Sequence, residues 1–166
     1  MVICGIDPGM TGALAFLRSD PVQVMSIVPM PLALARTKSR TRQNKSTVNW
    51  WAVTEAIRES DPDLVIVERQ AARPGQGLSS TFAIGYQYGA LQGILAALGK
   101  PYEIVEPATW KRGVGLLRAD KSASRDLAGR LMPEAAHLFT RDKDHGLAEA
   151  ALIALWKLTN ADRSLD

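Results

Sequence analysis

The stretch Val2-Ile3-Cys4-Gly5-Ile6-Asp7-Pro8-Gly9-Met10-Thr11-Gly12-Ala13-Leu14-Ala15-Phe16-Leu17 decides how this chain begins to fold. Residues 2 to 6 are apolar and β-prone, Asp7 to Gly12 break the run, and Ala13 to Leu17 resume it, which reads as a hairpin. Val22 to Val28 supplies a third strand. Further along, Leu64-Val65-Ile66-Val67 is a short, uninterrupted apolar run that ends on Glu68. Runs of that kind are buried on both faces of a parallel sheet, so this strand belongs at the centre. Pro101 to Val105 makes a fifth strand.

Helical patterns fill the spaces between and after these strands. Ser46 or Thr47 is placed to cap a helix with Trp50, Trp51, Val53, Ala56 and Ile57 at helical spacing, stopped by Asp61-Pro62-Asp63. The glycine-rich loop Arg73-Pro74-Gly75-Gln76-Gly77 leads into a long helix from about Ser80 to Leu98, closed by Gly99. Gly85, Gly89 and Gly93 recur on that helix at every fourth residue, and each costs about 1 kcal/mol relative to alanine. A stripe so costly implies that another backbone approaches it closely, inside the fold or across a homodimer interface. Lys121 to Leu131 and Gly146 to Leu158 give two more helices, the last almost wholly apolar. With no repeat, low-complexity tract or linker, residues 1–166 are expected to form a single α/β domain, a mixed five-stranded sheet flanked by helices.

The lone cysteine, Cys4, lies within an apolar run, which excludes a disulfide framework or a cysteine-based metal site. No apolar stretch reaches the roughly 20 residues that span a bilayer, and the amino terminus lacks the order of a signal peptide. A soluble, cytoplasmic protein with no membrane partner is expected. A net charge of +3 is modest, but its distribution is uneven. Arg36, Lys38, Arg40, Arg42 and Lys45 form an acid-free basic segment, and Lys111, Arg112, Arg118, Lys121, Arg125 and Arg130 form a second region. Both are candidates for phosphate contacts or for ordinary solvated faces, and charge alone does not choose.

Three carboxylates stand out. Asp7 and Glu68 each sit where an apolar strand meets a breaker, and open α/β sheets build their sites at the carboxyl ends of strands. Glu149 interrupts an otherwise apolar helix, where an unpaired carboxylate costs several kcal/mol, so a cation is the expected compensation. His145 lies one helical turn earlier on the same face, and Asp144 or Asp142 is placed to cap the helix. An oxygen-rich, cysteine-free set favours magnesium or manganese over zinc. Two such ions, about 4 Å apart, would suit phosphodiester hydrolysis.

Taken together, Gly5-Ile-Asp-Pro-Gly-Met-Thr-Gly-Ala13, Val65-Ile-Val-Glu-Arg-Gln70, Gly85-Tyr-Gln-Tyr-Gly89, Pro107-Ala-Thr-Trp-Lys111, Asp120-Lys121-Ser122 and Asp144-His-Gly-Leu-Ala-Glu-Ala150 resemble the RuvC-type Holliday-junction resolvases, especially their phage and plastid relatives. The resemblance covers nearly the whole chain. It implies an RNase H-like fold, a homodimer presenting two active sites to four-way or branched DNA, and paired nicking that depends on magnesium or manganese. On that resemblance Asp7 and Glu68 match the first two catalytic and metal-binding carboxylates, and Glu149 the last. The remaining acidic position falls at Asp144, His145 or Gly146, leaving Asp144 and His145 as alternative metal ligands. Lys121 matches a basic residue near the scissile phosphate.

The loop from Arg69 to Gly77 would enter the junction centre, with Arg69, Gln70, Arg73 and Gln76 against DNA. Arg40, Arg42, Lys111, Arg112 and Lys121 would hold phosphates. Other readings remain: another RNase H-like branched-DNA or transposase-related nuclease, or a junction-binding protein weakened in catalysis. Residues 5 to 12 also resemble a phosphate loop of the actin and sugar-kinase type, but that class needs a second such loop and more length.

Overall fold

The computed structural model of the chain describes residues 1–34, 46–120 and 122–161. In chain order the strands are β1 (Val2–Asp7), β2 (Ala13–Arg18), β3 (Gln23–Pro29), β4 (Leu32–Leu34), β5 (Ser46–Val48), β6 (Leu64–Glu68) and β7 (Tyr102–Val105). The helices are α1 (Trp50–Ser60), α2 (Leu78–Ala97), α3 (Pro107–Gly113), α4 (Ala123–Leu131) and α5 (His145–Ala161), with short 3-10 turns at Pro133–Phe139 and Asp142–Asp144.

Five strands form the main sheet in the order β3-β2-β1-β6-β7, with β4 and β5 as a small separate hairpin. β1 pairs antiparallel with β2 and parallel with β6, so the sheet is mixed, as the sequence suggested. β6 lies between β1 and β7 and is fully buried over Val65–Val67.

Alternation of side chains along each strand divides the core in two. Cys4 and Ile6 of β1 join Val65 and Val67 of β6 in one cluster, closed by Val53 and Ile57 of α1 and by Leu91 and Leu95 of α2. Ile3 and Ile66 point to the opposite face, where Trp110, Ala150, Ile153 and Ala154 pack on them. Gly5 belongs to this second face. A Cβ there would stand 2.3 Å from the Ala150 carbonyl oxygen, so the missing side chain lets α5 lie directly on β1. Gly146 does the same one end along, where a Cβ would reach the Thr11 carbonyl oxygen at 2.1 Å.

Two local expectations change. Ser46 and Thr47 lie in β5 and do not cap α1; Asn49 does, its Oδ1 accepting the Ala52 N–H at 3.2 Å. The three-residue pairing with Leu32–Leu34 outcompetes a cap at those positions. Among the described residues, the stripe at Gly85, Gly89 and Gly93 meets no other backbone: beyond the helix's own turns, nothing lies within 4 Å of a Cβ at any of the three.

Candidate active site

Strand parity places the first two carboxylates. Gly5 pairs with Ile66 and Ile6 with Val67 in parallel register, so one further step brings Asp7 beside Glu68 at the carboxyl ends of neighbouring strands. Both follow the parity of Ile3 and Ile66, which face α5. On α5, Gly146 and Ala150 touch the β1 side, and Glu149 lies three residues from one and next to the other. The third carboxylate is thus carried to the same end of the sheet.

The charges register this proximity. Burial pushes the Asp7 carboxyl up to about 7, and the negative charges of Glu68 and Glu149 add to the rise, with Lys111 opposing it. Glu68 is also raised, first by burial and then by Glu149, against the lowering effect of a hydrogen bond from Trp110 and the charges of Lys111 and Arg73. Like-charged groups that disfavour one another's ionisation in this way form a cation-attracting centre.

α3 supplies the partners. The fully buried Trp110 donates its indole N–H to Glu68 Oε1 at 2.9 Å. The next residue, Lys111, donates to Glu149 Oε1 at 2.8 Å, with its ammonium 5.1 Å from the centre of the Trp110 ring. Ser124 Oγ donates to the same Glu149 oxygen at 3.3 Å. Glu149 therefore has a lysine and a serine as partners, which corrects the expectation that only a cation could compensate it. The side chains came from α3 and α4, whose approach to α5 no local pattern announces. Lys111, expected on phosphate, faces the acidic cluster instead; Arg112 is exposed beside it.

Asp144 and His145 are placed differently from the trio. Buried Asp144 accepts from Arg141: Nη2 reaches Oδ1 at 2.8 Å, Nε reaches Oδ2 at 3.0 Å, and the Arg141 backbone N–H reaches Oδ2 at 2.9 Å. These bonds hold its carboxyl below the usual range, and Asp144 is not among the charges that act on Asp7. His145 sets Nδ1 3.2 Å from the Asp142 carbonyl oxygen and lines a hollow with Ser122, Arg125 and Asp142. Arg40, Arg42 and Lys121 lie outside the described residues.

Beyond Glu68 the chain borders a hollow of about 400 Å³ lined by Arg69, Gln70, Arg73, Gln76, Ile84 and Glu106, among others. Arg69 is fixed by its backbone N–H to the Val105 carbonyl at 2.8 Å and by an ion pair to Glu106 at 2.8 Å. Gln76 braces the loop by accepting the Arg73 N–H at 3.0 Å. Trp110, Ser124 and Arg141 were not singled out from the sequence as site residues. For Trp110 a signal exists, since a buried strand-end carboxylate needs a buried donor and Trp-Lys opens no amphipathic pattern of its own.

Among the described residues no three His, Cys, Asp or Glu side chains are gathered closely enough to hold an ion as they stand. The donor chemistry nevertheless fits a hard divalent cation: carboxylate oxygens alone, mutually repelling, and only partly neutralised by one lysine.

This sheet order, with acids at the carboxyl ends of its two central parallel strands, is the RNase H-like fold as RuvC carries it. Thermus thermophilus RuvC in complex with Holliday junction substrate superimposes with a TM-score of 0.67 over 98% of this chain and 96% of that one, at 16% identity. The yeast mitochondrial Holliday junction resolvase Ydc2 gives 0.60 over 96% and 80%, at 15% identity. Fowlpox virus resolvase with its substrate Holliday junction DNA gives 0.54 over the whole of both chains, at 14% identity. In sequence, the chain is 33% identical over 93 residues to the chloroplastic Holliday junction resolvase MOC1 of Chlamydomonas reinhardtii. That match covers 55% of this chain and about a tenth of the relative's length. No family model matches the chain. No helix among the described residues is long and apolar enough to cross a membrane.

Proposed function

We propose that this chain is a metal-dependent endonuclease that resolves four-way DNA junctions by paired nicking as a homodimer. The observation that carries the reading is the convergence of Asp7, Glu68 and Glu149 at one end of a RuvC-like sheet, where the charges of Glu68 and Glu149 add to the rise that burial gives Asp7. The resolvase names of the sequence relative and of the structural relatives support the substrate. Magnesium or manganese, two per site, would supply an activated water and stabilise the leaving oxygen. Asp7, Glu68 and Glu149 would hold the metal. Arg69, Gln70, Arg73 and Gln76, on the loop beside Glu68, would meet the DNA branch point. Arg40, Arg42, Arg112 and Lys121 would hold phosphates, with Lys121 near the scissile one. Lys111 would neutralise the cluster from within. His145 is the alternative left for a fourth role, since the Asp144 carboxylate already accepts from Arg141.

The homodimer is supported by α2, whose open face carries Leu78, Phe82 and Tyr86 exposed beside the bare glycines. A two-fold substrate suits two-fold protein symmetry. The Chlamydomonas relative is chloroplastic, so the compartment we infer is one that holds DNA, cytoplasm or organelle.

The test is cleavage of four-way, Y-shaped and linear duplex DNA with magnesium, manganese or neither. Paired nicks in the four-way substrate, dependent on metal, are expected. Equal cutting of the four-way and Y-shaped substrates would point to a general branched-DNA or transposase-related nuclease. A second reading, a junction-binding protein weakened in catalysis, is favoured by the Lys111–Glu149 ion pair and the Arg141–Asp144 clamp, which occupy two acids. Junction binding without cutting in either metal would select it.

A further inference from the structure

α3 does more than fill the space between the sheet and α5. Pro107 opens it immediately after β7, and Gly113 closes it where a Cβ would lie 2.3 Å from Trp156 Nε1 on α5. The helix is therefore seated at both ends. Its start is tied to the residue after Glu68 by the Arg69–Glu106 ion pair. Between these anchors stands Trp110, with no exposed surface and its one polar atom spent on Glu68 Oε1 at 2.9 Å. An indole N–H is a donor only, so this bond can be made to an acceptor and never reversed. It fixes which oxygen of Glu68 is held by the protein and, among the described residues, leaves Oε2 without a hydrogen-bond donor.

We propose that Trp110 is the positioning residue for Glu68: it holds one carboxylate oxygen inside the core so that the other is presented to the metal in a fixed orientation. This deepens the nuclease reading and rests on it. Partners that orient a ligating group from behind are typically worth 10- to 100-fold in metal affinity or activity. Trp110→Phe removes the N–H and keeps an aromatic ring in the core.

The experiment is manganese titration of the full chain by calorimetry, on wild type, Trp110→Phe, Glu68→Gln and the double variant, together with junction affinity in EDTA and the cleavage rate at saturating DNA. Trp110→Phe is expected to weaken manganese binding and to slow saturated cleavage by about 10-fold or more, with junction affinity unchanged. In the Glu68→Gln background it should add nothing, because a residue acting through Glu68 has no further effect once Glu68 is neutral. A merely structural tryptophan would add its loss in both backgrounds. Where Trp110→Phe fails to fold, the indole N–H resonance of Trp110 in wild type serves instead, and it should move on addition of magnesium. Wild-type affinity in Trp110→Phe, additive losses, or an unmoved indole signal while Glu68→Gln loses manganese, overturns the inference alone. Absence of manganese binding by wild type overturns the nuclease reading and the inference with it.

Discussion

Two regions of this protein use glycine in opposite ways. Under α5, Gly5, Gly12 and Gly146 sit where an added Cβ would stand 2.0–2.3 Å from a backbone oxygen, so their bare surfaces are consumed by the chain's own packing. Along α2, Gly85, Gly89 and Gly93 face nothing within 4 Å among the described residues and stand beside exposed Phe82 and Tyr86. The first set brings Asp7 and Glu149 together; the second leaves a smooth apolar face, the one we propose for the partner protomer. A glycine pattern in sequence signals close approach but does not say whose backbone approaches.

If chemistry lies under α5, the largest effects come from its acids. Asp7→Asn and Glu68→Gln should each lower cutting by more than the roughly 100-fold that losing an outer partner costs, with junction binding retained. Cleavage gels beside mobility shifts check this. Gly89→Leu should instead spare single nicks and uncouple paired ones. Loss of all nicking in Gly89→Leu, with the fold intact, would merge the two regions.

Next in size is a pH effect confined to the acidic cluster. Asp7 binds its proton up to about pH 7 in the folded state, against 3.8 ordinarily. Between about pH 4 and 7 the folded form thus holds a proton that the unfolded chain has released. Stability in metal-free buffer should therefore fall as pH rises through that window and stay low above it, by on the order of a few kcal/mol. Asp7→Asn should remove that part of the slope in denaturant melts. An identical slope in variant and wild type would show that burial and the neighbouring acids do not hold the proton on Asp7.

The glycines themselves give a smaller, two-signed test. Gly5→Ala should destabilise by about 1–3 kcal/mol, since backbone must shift to admit the methyl. Gly89→Ala should stabilise the dilute monomer by up to about 1 kcal/mol, because an exposed helical glycine only loses by being glycine. Melts at low protein concentration measure both. Equal signs would end the contrast. Asp144→Asn weakens a buried charged hydrogen bond, at a cost of about 1–3 kcal/mol with cutting kept. Its inactivity in a folded protein would return Asp144 to the site.

Much of the sheet was legible because strand runs and their breakers are local: Asp7 and Glu68 mark strand ends in sequence and in space. α3 was not legible as a helix, since seven residues opened by proline carry too little periodicity. Its two site contacts, Trp110 to Glu68 and Lys111 to Glu149, span 42 and 38 residues and arise only when α3 packs between β7 and α5. For the same reason Glu149 read as unpartnered. β4 and β5, three residues each, escaped notice because their pairing is set by register across the basic segment.

We propose that Asp7, Glu68 and Glu149, carried to one end of the sheet, form a metal-dependent cutting site for branched DNA. Wild type and Glu149→Gln, each incubated with a labelled four-way junction in magnesium, manganese or EDTA, test it most directly. Wild type should give paired, symmetric nicks with metal and none in EDTA, and Glu149→Gln none despite intact junction binding. Nicking by wild type in EDTA, or undiminished nicking by Glu149→Gln, would contradict it.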